Sequence, residues 1–187
     1  RSLASLPLNV VDGAESSLAV ENTGTGPLYT RLTMTALLPI GEEERANNKL
    51  QIAASYMTVG GDESEAIDPA SIEHGEDFKA VVTVTNPNAF KLEELALTHI
   101  VPSGWEIHGE ASGRGEGYDY REVRDDRVFT YFDLEPNQSV RFEIDLNASY
   151  QGSFYLPPIS VEAMYDASIF AREIGQWVVI TDVRPRG

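Results

Sequence analysis

The stretch "SVRFEIDLNASY", residues 139–150, alternates without a break. Val140, Phe142, Ile144, Leu146, Ala148 and Tyr150 fall on one side, and Arg141, Glu143, Asp145, Asn147 and Ser149 on the other. Successive side chains of a strand point to opposite faces, whereas a helix would scatter this pattern around its axis. The stretch therefore specifies a half-buried strand, and its apolar face must be covered by a second layer. Four further stretches behave alike. "FKAVVTVTN" (78–86) aligns Phe78, Ala80, Val82 and Val84 and stops at Asn86-Pro87. "LEELALTHIVPSGWEI" (92–107) reads as a strand to Val101, a Pro-Ser-Gly turn and a short strand through Trp105 and Ile107. "RVFTYFDL" (127–134) and "GQWVVITDV" (175–183) complete the set.

"KLQIAASYMTV" (49–59) is another strand, and a shorter one runs from Ile159 to Ala163. Residues from about 50 to 187 thus supply roughly seven strands separated by Pro/Gly turns, the signature of an antiparallel β-sandwich. Upstream, "SSLAVEN" (16–22) and "GPLYTRLTMTALLP" (26–39) suggest two more strands joined by a hairpin-like turn at Asn22–Gly26. Two or three strands are too few for an independent core. The acidic, then polar "IGEEERANNK" (40–49) reads as a linker, and the Gly-rich, charged 108–126 as a long loop. The expected division is residues 1–48, the trailing strands of a neighbouring domain with a linker, and residues 49–187, the sandwich. The chain opens "RSLASLPLNVV", with neither an initiator Met nor a signal-peptide pattern. It is expected to be a piece of a longer polypeptide.

Composition narrows the function. A formal net charge of −16 disfavours nucleic acid, whose phosphates need Lys and Arg, and disfavours docking on an anionic lipid surface. No apolar run is long enough to span a bilayer, so direct membrane insertion is not expected. The absence of Cys excludes disulfides, Cys-based zinc sites and thiol nucleophiles within these 187 residues.

No catalytic constellation emerges. His74, His99 and His108 lack metal-ligand spacing, and each reads as a structural or solvated histidine. Asp119, Glu122, Asp125 and Asp126 are interleaved with Arg121, Arg124 and Arg127, which favours mutual salt bridges over calcium or paired-carboxylate chemistry. "GRGEG" (113–117) lacks the Lys-Ser/Thr and helix of a phosphate loop. "NQS" (137–139) and "NAS" (147–149) fit the glycosylation sequon without context to support it. Neither enzymatic activity nor a cofactor or metal is expected.

One feature resists the simple pattern. "SVEAMYD" (160–166) ends a strand in two adjacent large side chains, Met164 and Tyr165. Strand parity sends them to opposite faces. Either one of them, Tyr165 by parity, packs in the sandwich, or the backbone bends near Tyr165-Asp166 and presents both.

Five stretches together carry a resemblance: "HGEDFKAVVTVTNP" (74–87), "LALTHIVPSGWEI" (95–107), "GYDYREVRDDRVFTYFDL" (117–134), "LNASYQGSFYLPPISVEAMYD" (146–166) and "AREIGQWVVI" (171–180). They resemble the carboxy-terminal end of the bacterial alpha-2-macroglobulins, over about residues 50–187. Residues 1–48 are similar to the end of the CUB domain that precedes it. The resemblance implies an all-β, macroglobulin-like sandwich plus a short β segment from the preceding domain. It implies a periplasmic, broad-spectrum protease inhibitor, in some members lipid-anchored to the inner membrane and acting in bacterial defence. A protease cleaves a bait region, the protein rearranges, and a buried Cys–Gln thioester acylates the attacker. The family's Cys-x-Glu-Gln motif is not in this chain. The implied role is therefore that of a non-catalytic module packed on the thioester domain. Its partners would be neighbouring domains of the same polypeptide and, through the whole protein, target proteases. Met164 and Tyr165 match the residues that shield the thioester in relatives. The alternative is a scaffolding or adhesion sandwich that binds another cell-envelope protein.

Overall fold

The computed structural model describes residues 17–31, 39–59, 65–109 and 112–182. Two compact units divide the chain, Arg1–Leu37 and Leu38–Gly187. In the first, residues 17–31 carry no strand. The turn expected at Asn22–Gly26 is present: Asn22 Nδ2 donates to the Gly26 carbonyl at 2.8 Å, and the Gly24 amide donates to Asn22 Oδ1 at 3.0 Å. Residues 32–38 of the second expected strand lie outside the described residues.

The second unit is all β among the described residues. Its strands are β1 (Ala46–Asn48), β2 (Gln51–Thr58), β3 (Ala66–Ile67), β4 (Ser71–Glu73), β5 (Asp77–Thr85), β6 (Leu92–Ile100), β7 (Trp105–His108), β8 (Gly113–Gly115), β9 (Tyr118–Arg124), β10 (Arg127–Leu134), β11 (Ser139–Ala148), β12 (Gly152–Leu156), β13 (Ser160–Ala163), β14 (Asp166–Arg172) and β15 (Gln176–Thr181). A seven-stranded sheet has the order β1-β14-β13-β6-β10-β9-β8, and a five-stranded sheet the order β3-β2-β5-β11-β7. The third sheet, β12-β15-β4, includes the one parallel strand pair among the described residues, β15 with β4.

The alternation of residues 139–150 is realised over most of its length. Phe142, Ile144, Leu146 and Ala148 are buried. Tyr150 departs from the expected face and is exposed. The strand stops at Ala148 because the Ser149 and Tyr150 amides both turn to the Gly104 carbonyl, at 3.0 and 3.1 Å. Apolar faces of the two larger sheets meet in one cluster that includes Val82 and Val84 of β5, Leu95 and Leu97 of β6, and Val161 of β13. Phe132 and Phe142 close it edge to face at 4.8 Å. A second cluster gathers Phe78, Trp105, Ile144, Val178 and Ile180 and ties in the small sheet. The Pro-Ser-Gly turn after β6 carries the chain from the seven-stranded sheet into the five-stranded one.

Two expectations need correction. Residues 108–126 are not a loop throughout, because β8 and β9 extend the large sheet beyond β10. The inward position of β9 is taken by Arg121, which breaks the apolar alternation. Its guanidinium is buried under the Tyr118 ring, 4.7 Å from the centroid, and donates to Thr130 Oγ1 and the Glu143 carbonyl, both at 3.3 Å. A buried charge is tolerated when it is hydrogen-bonded in this way. The stretch 40–49 is likewise more than a linker. Its end forms β1, paired along β14. Its acidic part is fastened by Arg45 to Glu173 at 2.5 Å, by Arg172 Nη2 to the Glu44 carbonyl at 3.1 Å and by the Tyr155 hydroxyl to Glu43.

Candidate functional site

The segment "AMYD" forms the tip of the β13–β14 hairpin. Ala163 pairs with Asp166, so Met164 and Tyr165 are the two turn residues. A strand ends where a two-residue turn begins, and the parity rule ends with it. Both side chains point away from the core: Met164 is 44% exposed and Tyr165 86%. Tyr165 does not pack in the sandwich.

The tip is held from several directions. Glu162 pairs with Phe170, so regular pairing would set Ala163 opposite Ile169. It faces Asp166 instead, and Ala167, Ser168 and Ile169 are the excess residues of a bulge in β14. Neighbouring elements clamp this bulge. Asn48 Nδ2 donates to the Ser168 carbonyl at 2.6 Å, and the Ser168 amide donates to Asp166 Oδ1 at 2.9 Å. Hydrogen bonds from Ser168 hold the Asp166 carboxyl below its ordinary range.

From the other side, the Met164 amide donates to the Glu94 carbonyl at 2.9 Å. Glu94 is in the left-handed region, φ 55°, at the point where β6 slips register against β10. An L side chain with a Cβ adopts this conformation only when its surroundings impose it. Here the Glu94 amide is fixed to Asp133 Oδ1 at 2.9 Å, and Asp133 pairs with Lys91 at 2.8 Å. The Lys91 ammonium draws the Asp133 carboxyl below its usual value. Together these contacts aim the turn.

Such a tip can exclude water and make soft contacts. Met supplies a polarizable thioether, and Tyr a flat ring with one hydroxyl. Neither side chain is a nucleophile or general base in this setting. The other candidates lie apart. His74 Nε2 is 3.1 Å from the Ser149 carbonyl, and His108 is 3.7 Å from Glu106. His99 is buried, and burial together with the nearby Arg121 charge lowers its pKa to about 4. Among the described residues no three acidic or histidine side chains are placed to hold a metal ion. In the 119–126 stretch, Glu122 pairs with Arg124 at 2.7 Å, and Asp126 pairs with Arg127 at 2.6 Å, as the interleaving predicts. The segment 113–117 is the β8 edge and its turn.

The supporting residues Glu94, Asp133 and Ser168 have no role in the sequence reading. The Asp166-x-Ser168 spacing of an Asx-turn is a readable signal. A glutamate in the left-handed region has none, because that conformation favours Gly and Asn.

Residues 50–167 match the family model described as the bacterial alpha-2-macroglobulin MG10 domain, a span that includes the hairpin tip. The chain is 31% identical over 162 residues to an alpha-2-macroglobulin of Pasteurella multocida, covering 84% of this chain and 8% of that protein. It is 24% identical over 177 residues to circularly permutated Ras protein 2 of Dictyostelium discoideum, covering 92% of this chain and 4% of that protein. Among solved structures, the native conformation of Escherichia coli alpha-2-macroglobulin superposes with a TM-score of 0.66 at 22% identity. That alignment covers 79% of this chain and 10% of the solved one, and at this identity it shows the fold alone.

Proposed function

Because the chain belongs to the bacterial alpha-2-macroglobulin family, we propose that it is a non-catalytic module of a protease-trapping inhibitor. In this reading the β13–β14 tip packs on the thioester domain of the parent polypeptide and keeps water from the thioester until the bait region is cut. The first unit, Arg1–Leu37, is the end of a CUB-like domain, and the parent is a periplasmic protein lipid-anchored to the inner membrane. The observation that carries the reading is the coincidence of the family match with an exposed Met164–Tyr165 pair on a braced turn.

A thioester is lost when water, assisted by a base, attacks its carbonyl carbon and expels the thiolate. A cover of thioether and aromatic ring surface slows that attack by excluding water. It must also detach after bait cleavage, and a two-residue contact on a rigid hairpin meets both demands better than a large apolar interface.

Amide hydrogen exchange on the full-length protein tests the packing. Residues 162–168 are expected to be protected before bait cleavage and to exchange faster after it. Equal exchange in the two states would contradict the reading.

A further inference from the structure

At the end of β6 remote from the hairpin tip, the loops form a groove of about 450 Å³. Its apolar surface includes Val101, Pro102 and Pro157, and the rings of Tyr150 and Tyr155 also line it. Three carboxylates, Glu106, Asp125 and Asp126, share the lining. Asp126 is neutralised by Arg127 at 2.6 Å, and Glu106 accepts from the Tyr150 hydroxyl at 3.0 Å. Trp105, 3% exposed, lines the groove as well, and its indole Nε1–H has no hydrogen-bond partner among the described residues. Its ring packs edge to face on Phe78 at 4.8 Å, so the floor of the groove is part of the core.

We propose that this groove is a docking site for an arginine-bearing segment of another protein. The chemistry is complementary at each point. The aliphatic stem of an arginine covers apolar surface while its head stays polar. A guanidinium plane stacks on tyrosine rings and presents paired donors to carboxylates, which a lysine ammonium cannot do. The chain's net charge of −16 draws cationic segments toward it and repels anionic ones. The groove is independent of the Met164–Tyr165 tip, so either assignment can fail without the other.

The test is a titration of the nitrogen-15-labelled 187-residue chain with acetyl-Gly-Arg-Gly-amide. Its control replaces arginine with the neutral isostere citrulline. Trp177→Phe leaves Trp105 as the sole indole signal. That signal is expected to move saturably with the arginine peptide. The double variant Glu106→Gln, Asp125→Asn is expected to weaken Kd about tenfold, as loss of charge-assisted contacts does. Both substitutions are near-isosteric and on exposed side chains, and an unmoved free Trp105 signal verifies the fold. A stationary signal, an equal response to the citrulline peptide, or an unchanged Kd in the double variant would each overturn the proposal.

Discussion

Replacing His99 with Leu should abolish most of the acid sensitivity of the fold above about pH 4. His99 sits on the inner face of β6, 1% exposed, and neither ring nitrogen has a hydrogen-bond partner among the described residues. Desolvation disfavours the imidazolium, the Arg121 charge adds to the effect, and the pKa falls from 6.5 to about 4. In the unfolded chain the ring takes up a proton as pH drops through about 6.5, while in the folded chain it stays neutral until about 4. The unfolded state therefore binds more protons in this window, and stability rises with pH across it. The linkage relation gives a loss of about 2 kcal/mol by about pH 5 and about 3 kcal/mol by about pH 4, relative to neutral pH. Leu has a similar volume and no nitrogens to desolvate, so His99→Leu should match or exceed the parent's stability at neutral pH. Urea unfolding followed by Trp fluorescence at a series of pH values measures the difference. The gap between variant and parent should widen by about 2 kcal/mol from neutral to about pH 5. The carboxylates with lowered pKa, Asp133 and Glu143 among them, act on both proteins alike and mostly below this window. Parallel stability–pH curves for the two proteins would refute the argument.

Three further outcomes follow from the packing. A Cβ at Gly104 would lie 2.5 Å from the Phe154 ring and 2.6 Å from Ile180 Cδ1; Gly104→Ala should cost about 1–3 kcal/mol by urea unfolding. Asn86, 0% exposed, donates through Nδ2 to the Phe90, Leu134 and Glu135 carbonyls at 2.8, 3.2 and 3.1 Å; Asn86→Ala strands these groups and should cost about 2–3 kcal/mol. Glu94→Gly relieves the left-handed conformation at φ 55° and should stabilise the chain by about 1 kcal/mol, with the Met164 amide still protected from exchange.

The fold was legible where a strand has one wet and one dry face. β10 and β11 follow their alternation because burial decides their register, and β5 keeps Phe78, Ala80, Val82 and Val84 on one face although Val81 on the other is buried too. β9 escaped because a hydrogen-bonded arginine fills its inward position, and hydropathy registers only charge there. β1, "ANN", has no apolar pattern; its hydrogen bonds to β14, not burial, make it a strand. At the hairpin, parity showed that Met164 and Tyr165 diverge within a strand, and it required a bend to present both. The bend lies at the two residues themselves, one step earlier than Tyr165-Asp166. The bulge behind the turn and the left-handed Glu94 depend on contacts between residues far apart in sequence, which no local pattern encodes.

The central claim, that this hairpin tip keeps water from a thioester, is tested most directly by the release of free thiol from the uncleaved full-length protein. The claim requires a Cys-x-Glu-Gln motif in the parent polypeptide, and thiol appearance then reports hydrolysis. Tyr165→Ala combined with Met164→Ala should speed spontaneous release at least about tenfold, as expected if about 1.4 kcal/mol or more of protection is lost. The exposure of both side chains in this chain means that its own stability should change by less than about 0.5 kcal/mol. An unchanged rate of thiol release in the double variant, or a parent without the motif, would contradict the account.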